Sequence, residues 1–312
     1  LEQLTDLKAI LHSKRANIYY LEKCRVMQKD GRVLYLANGE DDQRFWNIPI
    51  ANTTALLLGT GTSITQPAVR MLASAGVMIG FSGGGATPLL AGTEVEWLSP
   101  QSEYRPTEYL QGWMQFWFED ELRLEVAKIF QTTRIDYFEK TWQKDKDLIS
   151  EGFLIKELAT DLQNFRNQIE SAENVTRLLQ AEAQFTRVLY KYSASKTGLL
   201  GFTRKFDGDQ ANAFLNHGNY LAYGLGATTL WVLGVPFGFA VMHGKTRRGA
   251  LVFDVADLIK DAIILPWAFI SARDKESEQT FRQQCLLKFT QHKSLDFMFS
   301  TVKSAALNGK TA

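Results

Sequence analysis

Two hydrophobic patterns divide the chain. Up to about residue 97, short apolar runs alternate with polar positions and turn residues. Ile18–Gln28 and Arg32–Ala37 read as β-rich runs joined at Lys29-Asp30-Gly31, a hairpin signal. Asn47–Ile50, Thr54–Leu58, Val77–Phe81 and Glu94–Leu98 read as further strands. Pro67–Ala75 reads as a short helix, with Pro67 in its first turn and Gly76 just past its end, and Gly83-Gly84-Gly85 reads as a loop. Pro100, Ser102 and Pro106 mark a boundary. Beyond it the period changes: residues 107–200 contain no Pro and few Gly, and Trp113, Phe116, Trp117 and Leu124 suit a buried helical face. Helices continue to the C-terminus, interrupted at Gly234–Gly249 by strand or loop. The pattern predicts an α+β protein: a small β-sandwich-like N-terminal domain over residues 1–98, a linker over 99–106 and a larger all-α domain over 107–312.

Composition narrows the class. At 312 residues, 45% hydrophobic and 22% charged, the chain can bury a sizeable core, and disorder and collagen-like repetition are excluded. A net charge of +1 argues against a histone-like binder, which needs a global basic excess. The charge is nevertheless segregated: residues 94–182 carry a net −8 and residues 183–260 a net +5. A local basic surface is therefore compatible with near-neutrality. Cys24 and Cys285 form neither a disulfide framework nor a CxxC pattern, which fits a reducing, cytoplasmic setting. No secretory h-region is seen at the N-terminus, and the apolar runs fall short of the ~18 residues that span a membrane. Leu1 stands where an initiator Met is expected, so the chain reads as processed or trimmed.

Two motifs are near misses. Thr54–Gly85 has the strand–glycine–helix–strand order of a dinucleotide-binding unit, but Ile64 occupies the third glycine position and Gly76–Gly92 lacks an acidic residue for ribose. Turn glycines are the better reading. Gly244-Lys245-Thr246 resembles the end of a phosphate loop, but Phe239 stands where the first glycine is required.

A set of carboxylates and one imidazole is more informative. Glu182 lies in the helical stretch Val175–Tyr190, on one stripe with Leu178, Phe185 and Leu189. A carboxylate there needs a cation, a metal or donors, and a buried salt bridge satisfies that need as well as a catalytic role does. His243 ends the apolar run Phe237–Met242 and precedes Lys245, Arg247 and Arg248. The imidazole reads as a satisfied structural residue or as a ligand; the three basic residues read as a solvated loop or as a polyanion contact. Asp254 and Asp257 open the helical run Asp254–Leu265 on one face, which Asp261 extends. Helix capping explains them without a metal. Taken together, one imidazole and several carboxylates suit Mn²⁺ or Mg²⁺ better than structural zinc. Such an ion beside a basic loop suits phosphodiester chemistry.

The stretches His12–Val26, Ile48–Thr65, Pro100–Tyr109, Asn216–Gly224 and His243–Asp261 resemble the CRISPR adaptation nuclease-integrase family, most closely its subtype I-F form. The resemblance implies a β-domain followed by a helical catalytic domain. It implies a homodimer that joins a second adaptation subunit, fused in that subtype to the helicase-nuclease. It also implies cleavage of DNA with Mg²⁺ or Mn²⁺, and insertion of spacer DNA into the CRISPR repeat by transesterification. By the same resemblance Glu182, His243 and Asp257 are metal ligands, Asp254 is the supporting carboxylate of the catalytic set, and Asn216 and Tyr220 lie near the site. Lys245, Arg247 and Arg248 are assigned to DNA phosphates. The competing reading is a structural DNA-binding dimer whose carboxylates merely cap and bridge.

Overall fold

The computed structural model describes residues 15, 17–37, 45–81, 96–100, 106–205, 208–244 and 249–309. Its first part holds two four-stranded sheets. One sheet runs β1 (Asn17–Leu21), β5 (Thr53–Leu58), β7 (Met78–Phe81), β8 (Glu96–Leu98), with β1, β5 and β7 parallel and β8 antiparallel. The other runs β4 (Phe45–Ile48), β3 (Arg32–Ala37), β2 (Cys24–Lys29), β6 (Ser63–Ile64). The predicted hairpin is present: Lys29 pairs with Arg32 across Asp30 and Gly31, both at positive φ, as a two-residue turn of this hand requires.

The single run Ile18–Gln28 is divided in the structure. Lys23, at φ +48°, turns the chain, and its amide donates to the Thr60 carbonyl at 3.0 Å. β1 and β2 therefore enter different sheets. The turn also separates their burial. Ile18 and Tyr20 face the helices, whereas Leu21, Cys24 and Val26 enter a smaller core between the sheets.

β5 shows why the first sheet matters. All six of its residues are buried. Leu56 and Leu58 join Val26, Val33 and Ile48 of the second sheet, and Ala68 and Leu72 of helix α1 (Gln66–Ser74). Ala55 and Leu57 point the other way, into the helical core. A parallel strand covered on both faces reads as a continuous apolar run, as Ala55–Leu58 does. The strand–helix–strand order read in this part of the sequence is a real parallel crossover from β5 through α1 to β7. Its first glycine serves packing: a Cβ on Gly59 would lie 2.6 Å from the Tyr20 hydroxyl.

The remainder is helical: α2 (Glu108–Trp117), α3 (Asp120–Lys144), α4 (Lys146–Ser150), α5 (Ala159–Glu170), α6 (Val175–Thr197), α7 (Gln210–Leu233), α8 (Ala250–Ile259), α9 (Leu265–Arg273), α10 (Glu278–Gln291) and α11 (Ser294–Asn308). The α+β class expected from the pattern is borne out. α7 is the central spine, lying on the first sheet through Gly224, beside Ala55 and Ile18, and on α8 through Gly226. A Cβ on Gly226 would stand 3.0 Å from the Val252 carbonyl, so glycine permits the close crossing that sets the height of α8. Cys24 and Cys285 are both buried and free. Among the described residues, no helix is long and apolar enough to cross a membrane.

Between α8 and α9 the helix widens into a π-helical turn, Lys260–Ile264. The cause is local. Pro266 has no amide hydrogen to return to the Ala262 carbonyl four residues back. The Trp142 indole takes that carbonyl instead, at 3.1 Å. The widened turn carries Lys260 and Asp261, which both belong to the site.

Candidate functional site

The site is built on four separate pieces of chain. α6 carries Glu182; its Asn174 cap accepts from the Arg177 amide at 3.0 Å, and Leu178, Phe185 and Leu189 are buried as their spacing predicts. α8 carries Asp254 and Asp257, and α3 carries Arg134. The fourth piece is the segment that follows α7, which ends in a left-handed Gly234.

That last segment has no regular structure, so its backbone groups need partners from elsewhere. The Trp113 indole donates to the Phe239 carbonyl at 3.0 Å and the Trp117 indole to the Ala240 carbonyl at 2.7 Å. The amides of Val241 and Met242 then donate to Asp254 Oδ2 at 2.7 and 3.2 Å, and the His243 amide donates to Asp254 Oδ1 at 3.1 Å. Asp254 is therefore not a cap of its own helix, since α8 already begins at Ala250. It is a clamp on the segment that delivers His243.

The same carboxylate orients the imidazole, with His243 Nδ1 lying 2.6 Å from Asp254 Oδ1. This leaves Nε2 directed at Asp257 Oδ2, 3.7 Å away. Burial alone would lower the His243 pKa, but the hydrogen bond to Asp254 and the charges of Asp257, Asp254 and Glu182 push it up to about 9. The influence of Glu182 shows that α6 brings its carboxylate into the same field.

Two cations that sequence reasoning missed complete the cluster. Arg134 Nη1 donates to Glu182 Oε1 at 2.5 Å, and its Nε and Nη2 donate to Asp261 Oδ2 at 2.8 and 2.5 Å. Burial opposes its charge, but Asp261, Glu182 and Asp257 together raise its pKa above the ordinary value. Lys260 is ion-paired to Asp257 and lies over the Tyr223 ring at 5.3 Å. Burial works against this ammonium too, and Asp257 outweighs it. Asp257 is in turn held below the usual carboxylate range: its own burial is outweighed by Lys260, His243 and Arg134. A signal for Arg134 existed in the sequence. It falls four residues after Phe130 and four before Phe138, a cation on an apolar stripe matching the carboxylate on the stripe of α6.

The structure thus gathers Glu182, His243, Asp254 and Asp257 into one neighbourhood, with Asp261 added. Tyr220 packs edge-on to Tyr223, Tyr223 to Phe253, and Phe253 to His243, so Tyr220 reaches the site through a chain of rings. Asn216 accepts from Arg204 at 2.6 Å. Lys245, Arg247 and Arg248 lie outside the described residues.

Among the described residues, no three His, Cys, Asp or Glu converge closely enough to enclose an ion as they stand. The donor set nevertheless fits a hard divalent cation. An imidazole whose second nitrogen is fixed by a carboxylate is the usual metal-binding arrangement of histidine, and the other donors are carboxylates. Lys260 on Asp257 and Arg134 on Glu182 set positive charge beside the same carboxylates.

A two-sheet region packed on a helical body, with an imidazole clamped among carboxylates carried by the helices, also has relatives. Over residues 18–295 the chain matches the family model described as CRISPR associated protein Cas1, and it belongs to that family. It is 53% identical over 311 residues to the CRISPR-associated endonuclease Cas1 of Pseudomonas aeruginosa (strain UCBPP-PA14), covering 97% of this chain and 96% of the relative. It is 52% identical over 311 residues to the protein of the same name from Pectobacterium atrosepticum, covering 97% and 95%. Its fold is shared with the crystal structure of a TtCas1-DNA complex (20% identity, TM-score 0.67, 95% and 92% of the two chains). It is also shared with a casposase bound to integration product (14% identity, TM-score 0.72, 95% and 91% of the two chains). The family read from the sequence motifs is borne out.

Proposed function

We propose that this chain is a metal-dependent DNA endonuclease and integrase of CRISPR adaptation. Residues 107–312 form its catalytic helical domain, residues 99–106 the linker and residues 1–98 the β-domain. Glu182, His243 and Asp257 hold Mg²⁺ or Mn²⁺, and Asp254 holds His243. The observation that carries this reading is the clamp: Asp254 fixes both the backbone and the ring of His243, so that Nε2 faces Asp257. A solely structural histidine needs no such double restraint. The names of the relatives, a fold neighbour in complex with DNA and another bound to integration product support the same substrate class.

When bound, the ion offsets the charge that develops on a reacting phosphate. The chain's own residues supply the rest. Asp254 keeps the imidazole from rotating, and Trp113 and Trp117 keep its segment from shifting. Lys245, Arg247 and Arg248 contact phosphates and set the position of the DNA without reading its sequence. In integration, a 3′-oxygen of the incoming strand bonds to phosphorus of the repeat. The bond from that phosphorus to the repeat's 3′-oxygen breaks, and the hydroxyl proton is lost to solvent as the leaving oxygen gains one. The protein works in the cytoplasm as a homodimer with a second adaptation subunit fused to the helicase-nuclease.

A second reading, a structural DNA-binding dimer, is favoured by one observation: Arg134 and Lys260 already neutralise Glu182 and Asp257. One assay separates the two. The purified protein is incubated with duplex DNA and MnCl₂ or MgCl₂, beside the Asp257→Ala variant. We expect cleavage and strand transfer by the parent, and background activity with intact DNA binding in the variant. DNA binding by the parent with no cleavage under either ion selects the second reading. Full activity of Asp257→Ala removes this site from the chemistry.

A further inference from the structure

We propose that Arg134 is a positioning residue that serves as a built-in counter-cation. It holds the acid cluster together before a metal ion arrives, and it competes with that ion for Glu182. The inference rests on the metal-binding reading above.

The argument begins with the number of acids. Glu182, Asp257 and Asp261 come from three elements and share one largely buried space. Carboxylates in such a space repel one another, and burial without a partner is strongly unfavourable. Arg134 answers this with its planar fork, reaching Glu182 on α6 with one arm and Asp261 in the π-helical turn with the other. Gln131 Oε1, one turn earlier on α3, accepts from the first arm at 3.3 Å and steadies it. A lysine has one charged atom and cannot span both acids with this geometry.

The arrangement differs among the three proposed metal ligands. His243 and Asp257 already face each other. Glu182 is the one whose oxygen is held by Arg134, at 2.5 Å. An ion on Glu182 Oε1 must share or replace that hydrogen bond, and an ion on Oε2 still meets the repulsion of the guanidinium on the same carboxylate. Arg134 therefore acts in opposite directions on two quantities: it raises the stability of the ion-free fold and lowers the affinity for the ion. A residue that only packed the core would change the first and leave the second alone.

The experiment uses the full chain with MnCl₂ as the probe. Melting temperature is measured in EDTA and in excess Mn²⁺, and the Mn²⁺ dissociation constant is measured by titration calorimetry. For Arg134→Met we expect a lower melting temperature in EDTA, a larger rise on adding Mn²⁺ than the parent shows, and roughly tenfold tighter Mn²⁺ binding from loss of a neighbouring charge. For Arg134→Lys we expect Mn²⁺ affinity near that of the parent and a melting temperature in EDTA between the other two. If Arg134→Met folds only when Mn²⁺ is present, the proposal stands. It is overturned if Arg134→Met binds Mn²⁺ no more tightly than the parent, or if Mn²⁺ fails to recover its fold. If the parent itself binds no Mn²⁺, the metal-binding reading falls as well; if the parent binds and only the Arg134 results fail, this inference falls alone.

Discussion

Among the described residues two ionic clusters bear comparison, each setting a lysine and a histidine against aspartates, to different ends. In the first, Lys288 donates to Asp145 and Asp147, each at 2.7 Å, and His292 Nε2 lies 2.9 Å from Asp145. In the second, Arg134, Lys260 and His243 face Glu182, Asp254, Asp257 and Asp261. The first is sealed at its centre, where the Lys288 and Asp145 side chains are 0% and 1% exposed. The second is ajar, with His243 at 28% and Lys260 at 20%. The acids also differ in what else they bind. Asp145 caps α4 through the Asp147 and Leu148 amides, so its remaining valence is spent on local structure. Asp257 and Glu182 bind no backbone amide among the described contacts and meet only side-chain cations and an imidazole. Sealed and capped, the first cluster joins α3 and α4 to α10. Open and rich in acids, the second is the cluster proposed above to take up a cation.

The comparison breaks most visibly at Lys288. Removing one partner of a sealed pair leaves Asp145 buried without its lysine, held only by His292 and the two capped amides. Lys288→Met is expected to cost about 3–5 kcal/mol of stability, measured by urea unfolding, with metal-dependent cleavage retained by the folded fraction. In the open cluster the corresponding change, Asp257→Ala, is expected to reverse this pattern: activity lost and fold kept. A cleavage defect in folded Lys288→Met would erase the distinction.

Titration sharpens the comparison at opposite ends of the pH scale. The folded pKa of His243 is raised to about 9. The stability it contributes is fully present below its unfolded value of about 6.5 and is lost as pH rises through 9. In EDTA the parent should lose on the order of 2 kcal/mol between pH 6.5 and 9, and His243→Gln should not show this loss. Asp145 behaves in the other sense. Its burial is outweighed by hydrogen bonds from His292 and Lys288, which hold its pKa down at about 2. Its contribution is present above its unfolded value of about 4 and is lost as pH falls through 2. Melting curves of the parent and of His243→Gln from pH 6.5 to 9 check the first window, and melting curves of the parent between about pH 4 and pH 2 check the second.

The smallest expected effect lies at the edge of the open cluster. Trp117→Phe removes the indole donor from the Ala240 carbonyl. We expect about 0.5–1.5 kcal/mol of destabilisation and a cleavage rate lowered by less than about tenfold, with DNA affinity unchanged. A rate equal to the parent's would show that the His243 segment needs no brace from α2.

The sequence by itself determined the periodic features. The stripe of α6 with Glu182 among Leu178, Phe185 and Leu189 was legible, as were the Asp30-Gly31 turn, the apolar run of β5 and the change from strands to helices. Each is a local repeat whose spacing states which side of an element is buried. Glu182 and His243 were legible for a related reason: a polar group on an apolar stripe, or at the end of an apolar run beside a basic loop, conflicts with its surroundings; Asp254 and Asp257 showed only a shared helix face that capping explained as well. What lies across from a buried face is not encoded in that face's own period. Only the tertiary structure decided that Glu182 meets Arg134 from 48 residues away, and that Asp254 clamps the segment ahead of its own helix instead of capping that helix. It also decided that one β-rich run divides at Lys23 between two sheets. The physical reason is common to all three. A buried charge or an unpaired amide demands a partner, but the sequence states only the demand; packing of distant elements selects which group meets it.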